Sequence, residues 1–172
     1  MSDVPIAEPK VTAPFKIESV PWQEFSRGGR FGSRYRALGE FGGCSHVGVA
    51  IEELPPGKQS CPAHFHMLEE EQMWILDGRA TLRLGEKTYQ VSAGDYVVFP
   101  AGQKAGHCLI NTSDAVCRFL IIGERNPNDV MVYPDSDKVR VRALDENYRR
   151  SARMAYWDGE DGELSASGSR ET

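Results

Sequence analysis

Between residues 41 and 123 apolar and polar positions alternate in short runs, each closed by Gly, Pro, Asn or Asp. Val47, Val49 and Ile51 share one face of a run that Leu54-Pro55-Pro56-Gly57 ends, because proline cannot donate to a strand ladder. Strand-like runs follow around His64, over Gln72 to Leu76, Ala80 to Leu84, Thr88 to Val91, Tyr96 to Pro100, His107 to Ile110 and Val116 to Ile122. Asp77-Gly78 between two such runs predicts a hairpin. Gly85-Glu86-Lys87, Ala93-Gly94-Asp95 and Asn111-Thr112-Ser113-Asp114 predict further turns. No part of this region sustains the 3.6-residue period of a helix, so the pattern predicts an all-β sandwich or barrel.

The flanks carry weaker signals. Residues 1–20 hold prolines and charges without periodicity and are expected to form a disordered N-terminal arm. Residues 21–40 set Trp22, Phe25, Phe31 and Tyr35 among Arg and Gly, the composition of an extended segment that packs on the barrel or on a partner subunit. Residues 41–123 are the barrel and 124–157 a C-terminal extension. Within that extension Lys138 to Leu144 reads as an edge strand and Tyr148 to Trp157 as room for a short helix. Residues 158–172, acidic and then rich in Ser and Gly, read as a disordered tail.

Composition narrows the functional classes. A chain of 172 residues, 40% hydrophobic and 26% charged, is one domain's worth of ordinary globular sequence. A net charge of −5 argues against non-specific nucleic-acid binding, and no helix-turn-helix pattern precedes the barrel. No apolar run reaches bilayer length and the N-terminus lacks a basic-then-apolar leader, so no membrane partner and a cytoplasmic location are expected. Cys44, Cys61, Cys108 and Cys117 show no CxxC spacing and read as free thiols.

The chemistry is concentrated in Cys61-Pro62-Ala63-His64-Phe65-His66-Met67-Leu68-Glu69-Glu70-Glu71. His64 and His66, two apart, project from the same face of a strand, and Glu71 heads the apolar run that follows. His107, one of only four histidines, opens a second patterned stretch, while His46 lies off the Val47 face. Two histidines and a carboxylate directed into one interior make metal binding the first chemistry to test. Glu69 and Glu70 read as a charged turn. Arg83, Tyr96 and Lys104 are candidates to meet an anionic ligand but are commoner as surface groups.

These residues fall into two motifs. Gly57, His64-x-His66, four residues, Glu71, six residues and Gly78 resemble the first motif of the cupin superfamily. Gly94, five residues, Pro100-x-Gly102, then His107, three residues and Asn111 resemble the second. The similarity spans about residues 44 to 122 and is to single-domain bacterial cupins. Two departures stand out: Gly57 is one residue further from His64 than usual, and Gln103 to Gly106 place His107 four residues past the Pro-x-Gly turn instead of two. The resemblance implies a single conical barrel of the double-stranded β-helix (jelly-roll) type. It also implies one divalent transition metal per chain on His64, His66, Glu71 and His107. Three imidazoles and a carboxylate suit Fe, Mn, Ni, Zn or Cu. The implied function is metal-dependent catalysis on a small oxygen-rich or anionic metabolite, of dioxygenase, decarboxylase, isomerase or lyase type. A non-catalytic metal- or sugar-binding module is the alternative. Small cupins commonly form homodimers, and the aromatic segment from Trp22 to Tyr35 would serve that purpose.

Overall fold

We describe a computed structural model that covers residues 13–160 and Gly162. The expected arm over 1–12, and the tail apart from residues 158–160 and Gly162, lie outside the described residues. Residues 13–20 are not featureless: a single 3-10 turn at Ile17–Ser19 delivers Val20 into a buried position.

The described residues form thirteen antiparallel strands: β1 (Gln23–Arg27), β2 (Phe31–Ala37), β3 (Val47–Leu54), β4 (Phe65–His66), β5 (Glu71–Asp77), β6 (Arg79–Leu84), β7 (Lys87–Ser92), β8 (Tyr96–Phe99), β9 (His107–Ile110), β10 (Cys117–Glu124), β11 (Val130–Tyr133), β12 (Lys138–Val141) and β13 (Glu146–Arg149). One sheet runs β1-β2-β3-β10-β5-β8, a second β7-β6-β9 and a third β13-β12-β11-β4. The all-β barrel is the one the alternation predicts. Its core lies between the first two sheets, where Leu54, Met73, Ile75 and Phe119 meet Ala80, Leu82, Val91 and Leu109. Asn111 is fully buried and closes the β9–β10 turn by donating to the carbonyls of Leu54 and Ala115, both at 2.7 Å.

Three local expectations change, and the orientation of β3 is fixed. Asp77-Gly78 is not a hairpin: β5 pairs with β10 and β8, whereas β6 pairs with β7 and β9, so the chain changes sheet at Gly78. That residue has φ +77°, and a Cβ there would stand 2.5 Å from the Val116 carbonyl oxygen. The face bearing Val47, Val49 and Ile51 turns outward, and Ile51 lines a surface hollow with Trp22 and Arg36. The interior face of β3 is Gly48, Ala50, Glu52 and Leu54, as the register Leu54↔Cys117 and Glu52↔Phe119 requires. β12 is an internal strand between β11 and β13, with β13 at the edge. Finally, the expected helix within Tyr148–Trp157 is replaced by the end of β13 and one 3-10 turn at Arg150–Ala152.

Candidate metal centre

His64, His66, Glu71 and His107 converge at one end of the barrel. His64 stands just before β4, and its backbone forms an isolated bridge with His107 at the start of β9. The amide of His107 donates to the His64 carbonyl at 2.9 Å. The two-residue alternation puts His64 and His66 on the same side, so their rings meet edge to face at 5.0 Å between centroids. Glu71 opens β5 on the face that continues through buried Met73 and Ile75, while Trp74 turns outward as its position predicts. Glu71 Oε2 lies 2.9 Å from His107 Nε2 and 3.5 Å from His66 Nε2. Aromatic rings support two of the imidazoles: Phe99 stacks on His107 at 3.8 Å, and Tyr133 on His64 at 5.4 Å.

The tautomers of two histidines follow from their partners. His64 Nδ1 is 2.9 Å from the Pro62 carbonyl, which can only accept, so Nδ1 carries the proton. His66 Nδ1 is 2.6 Å from Asp129 Oδ2, a carboxylate that likewise accepts. Both Nε2 atoms therefore present lone pairs, and they face each other at 3.1 Å. Two lone pairs at that distance repel unless a cation lies on both. His64 itself brings no proton to that contact at neutral pH, because burial and the neighbouring His107 push its pKa down to about 4. Two imidazole nitrogens on one metal at 2.0–2.1 Å stand roughly 2.9–3.4 Å apart for right-angled to tetrahedral geometry. The observed 3.1 Å falls inside that range. Burial works against ionisation of Glu71, yet His107, His66 and His64 outweigh it and hold its carboxyl below the usual range. Imidazole nitrogens with a carboxylate oxygen are a donor set that fits a divalent transition metal.

Residues distant in sequence complete the surroundings. Asp129 is fully buried, and besides holding His66 it accepts the Leu68 amide on Oδ1 at 3.0 Å. Glu69, read from sequence as part of a charged turn, is 2% exposed. Arg142 grips it with both terminal nitrogens, one at 2.9 Å, and Glu69 Oε2 stands 3.1 Å from His66 Nδ1. His66, Glu69 and Asp129 form a second close cluster of metal-ligating types, but Glu69 is already paired with the Arg142 guanidinium and Asp129 already accepts from His66 Nδ1. Glu70 is exposed, in keeping with its reading. No local pattern marks Asp129, which follows the loop-forming run Asn126-Pro127-Asn128.

The remaining candidates lie elsewhere. Arg83 forms a fork-to-fork pair with Asp135 at 2.6 and 2.8 Å, Tyr96 is exposed and bonded to Gln72, and Lys104 is exposed. Cys61 Sγ approaches His64 Nδ1 at 3.7 Å, but burial pushes its thiol up to about 12 and leaves it no thiolate character. Cys108 is buried and turned away from the histidines, as its alternation with His107 predicts. A cavity of about 350 Å³ opens onto His64, His66 and Glu71, floored by small residues including Gly48, Ala50 and Gly123. A larger hollow of about 530 Å³, on the outer face of β1–β3, contains no histidine.

Comparison with known proteins bears on the fold that carries these residues. A cupin domain model matches residues 50–123. A protein from Acidithiobacillus ferrooxidans, provisionally assigned as a sugar phosphate isomerase, is 30% identical, covers 72% of this chain and 80% of its own, and superposes with a TM-score of 0.69. A sugar phosphate isomerase of the cupin superfamily from Silicibacter pomeroyi is 27% identical, covers 85% and 98%, and superposes at 0.73. A predicted oxalate decarboxylase from Thermotoga maritima shares the fold at 24% identity and a TM-score of 0.57, covering 66% of this chain and 100% of its own. Among curated proteins no sequence matches this chain. No helix among the described residues is long and apolar enough to cross a membrane.

Proposed function

Because this chain belongs to the cupin superfamily, we propose that it is a metal-dependent enzyme of the isomerase type acting on a small, oxygen-rich anionic metabolite such as a phosphorylated sugar. The observation that carries the reading is the close approach of the Nε2 atoms of His64 and His66, 3.1 Å apart and beside the Glu71 carboxylate. His107 completes a set of three imidazoles and one carboxylate. A divalent metal held there would act as a Lewis acid, polarising a hydroxyl or carbonyl oxygen of the bound molecule.

The chain's own residues have the remaining tasks. Asp129 and the Pro62 carbonyl hold protons at the Nδ1 atoms of His66 and His64 and keep their Nε2 atoms available. The small floor at Ala37, Gly48, Ala50 and Gly123 leaves room for a molecule above Glu71. The isomerase choice, over the decarboxylase, dioxygenase and lyase types, is supported by two relatives of 27–30% identity that carry that name. The edge of β1, unpaired among the described residues, is the surface on which a second copy would add, and sedimentation of the full chain tests that homodimer.

The deciding experiment measures metal content in the purified protein and then aldose–ketose interconversion over a panel of sugar phosphates. Stoichiometric metal with chelator-sensitive turnover supports the proposal. Metal without turnover on the panel, but with ligand-induced stabilisation, would instead identify a binding module. Absence of stoichiometric metal would overturn the metal-centre reading.

A further inference from the structure

Three interior positions stand in a row across β3, β10 and β5: Gly48 opposite Gly123, and Gly123 opposite Glu71. They occupy the same face as Leu54, Phe119 and Ile75, so side chains here point into the barrel. Two of the three have none. A Cβ on Gly123 would come within 3.3 Å of Glu71 Oε1, and one on Gly48 within 2.9 Å of Arg125 Nε. The Glu71 carboxyl thus lies over Gly123, and the Arg125 guanidinium over Gly48, on neighbouring strands about 4.8 Å apart. Arg125 is anchored through its amide, which donates to the His46 carbonyl at 2.9 Å.

Two arginines line the cavity above this floor. Arg142 is committed to Glu69 and to the Asn126 carbonyl. Arg125 enters no ion pair among the described residues, although Glu40 and Glu124 share the cavity wall. An uncommitted guanidinium beside the candidate metal ligands offers a planar donor fork matched to a phosphate or carboxylate.

We propose that Arg125 is the oxyanion subsite of this cavity: it takes the phosphate or carboxylate of a small polyol whose hydroxyl or carbonyl oxygens face His64, His66 and Glu71. The substrate class is thereby a sugar phosphate or sugar acid in place of a neutral sugar. Gly48 is the residue that makes room for the guanidinium. This inference rests on the metal-dependent reading of the same cavity.

The test uses the full chain loaded with Mn(II), as wild type, Arg125→Ala and Arg125→Lys. Metal stoichiometry is measured first. Inorganic phosphate, a hexose 6-phosphate, the matching hexonate and the uncharged hexose are then titrated by calorimetry. Wild type is expected to bind phosphate and at least one charged sugar, with Arg125→Ala weakened about 10- to 100-fold, Arg125→Lys intermediate and metal content equal in all three. Whether the hexose phosphate or the hexonate loses more affinity tells which oxyanion the subsite takes. Equal affinities in wild type and Arg125→Ala, or no binding of any anion to wild type, overturn the proposal. Failure of the metal reading registers separately, as absent Mn(II) in wild type, and the phosphate titration of the metal-free proteins still reads the contribution of Arg125.

Discussion

Asp129 Oδ2 lies 2.6 Å from His66 Nδ1, joining a loop of the C-terminal extension to a histidine 63 positions earlier in the chain. The second oxygen of Asp129 takes the Leu68 amide, so the carboxylate is held at both ends. An asparagine in its place would keep its oxygen on that amide and turn its NH2 toward His66. The imidazole would then carry its proton on Nε2, the atom that faces His64. Asp129→Asn is therefore expected to fold as the wild type does while losing metal affinity by about 10- to 100-fold. Competition with a chromogenic chelator measures the affinity and circular dichroism the fold; unchanged affinity would deny Asp129 its positioning role.

His64 makes the metal-free protein sensitive to mild acid. Its pKa falls from the ordinary 6.5 to about 4, first through burial and then through His107. Between those values the unfolded chain binds a proton that the folded chain refuses, so stability is complete above about pH 6.5 and declines toward pH 4. The decline is roughly 1.4 kcal/mol per pH unit for one such group. Urea melts of chelated protein at several pH values should show it, and His64→Gln should flatten that limb of the curve.

Metal removal should be visible as stability. A ligand bound only by the folded state stabilises it by about 4 kcal/mol at a thousandfold excess over Kd. Chelation should lower the melting temperature of wild type but leave His64→Ala and Glu71→Ala nearly unmoved. A wild-type melting curve indifferent to chelator and to added Mn(II) or Zn(II) would contradict the proposed ligand set.

The ion pair of Glu69 with Arg142 predicts an asymmetry between single and double substitutions. Glu69 is 2% exposed, so Arg142→Met leaves a carboxylate buried beside Asp129 without its cation, at an expected cost of about 3–5 kcal/mol. Glu69→Leu combined with Arg142→Met removes both charges and should recover a good part of that loss. Additive costs in a double-mutant cycle would show that the pair is not coupled.

At the sheet crossing, Gly78→Ala places a methyl group 2.5 Å from the Val116 carbonyl oxygen on a backbone with φ +77°. The chain must either move β10 or strain the turn, and destabilisation of at least about 2 kcal/mol is expected from denaturant unfolding. A substitution to Ala at Gly57, where φ is +73° and nothing lies within 4 Å, should cost less and separates the backbone contribution from the clash.

Sequence by itself determined what depends on neighbours along the chain. Alternation with period two marked most of the strands, because one face of each must be buried. The spacing of His64 and His66 put both rings on one side, and the two motifs named His64, His66, Glu71 and His107 as a set. What depends on partners across the chain was decided only by the tertiary structure. Asp77-Gly78 has a hairpin's residues, yet the strands on either side go to different sheets, β5 to β10 and β8, β6 to β7 and β9. On β3 it is Gly48 and Ala50 that share the barrel-facing side with Leu54, while Ile51 lies on the other side beside Trp22, an assignment set by the pairing with β10. Glu69 is indistinguishable from Glu70 in an acidic run. It is buried because Arg142, 73 positions away, neutralises it. Asp129, which fixes the tautomer of His66, and Arg125, laid over a bare glycine, carry no local signature for the same reason: their roles consist of contacts made only after the C-terminal extension has folded back onto the barrel.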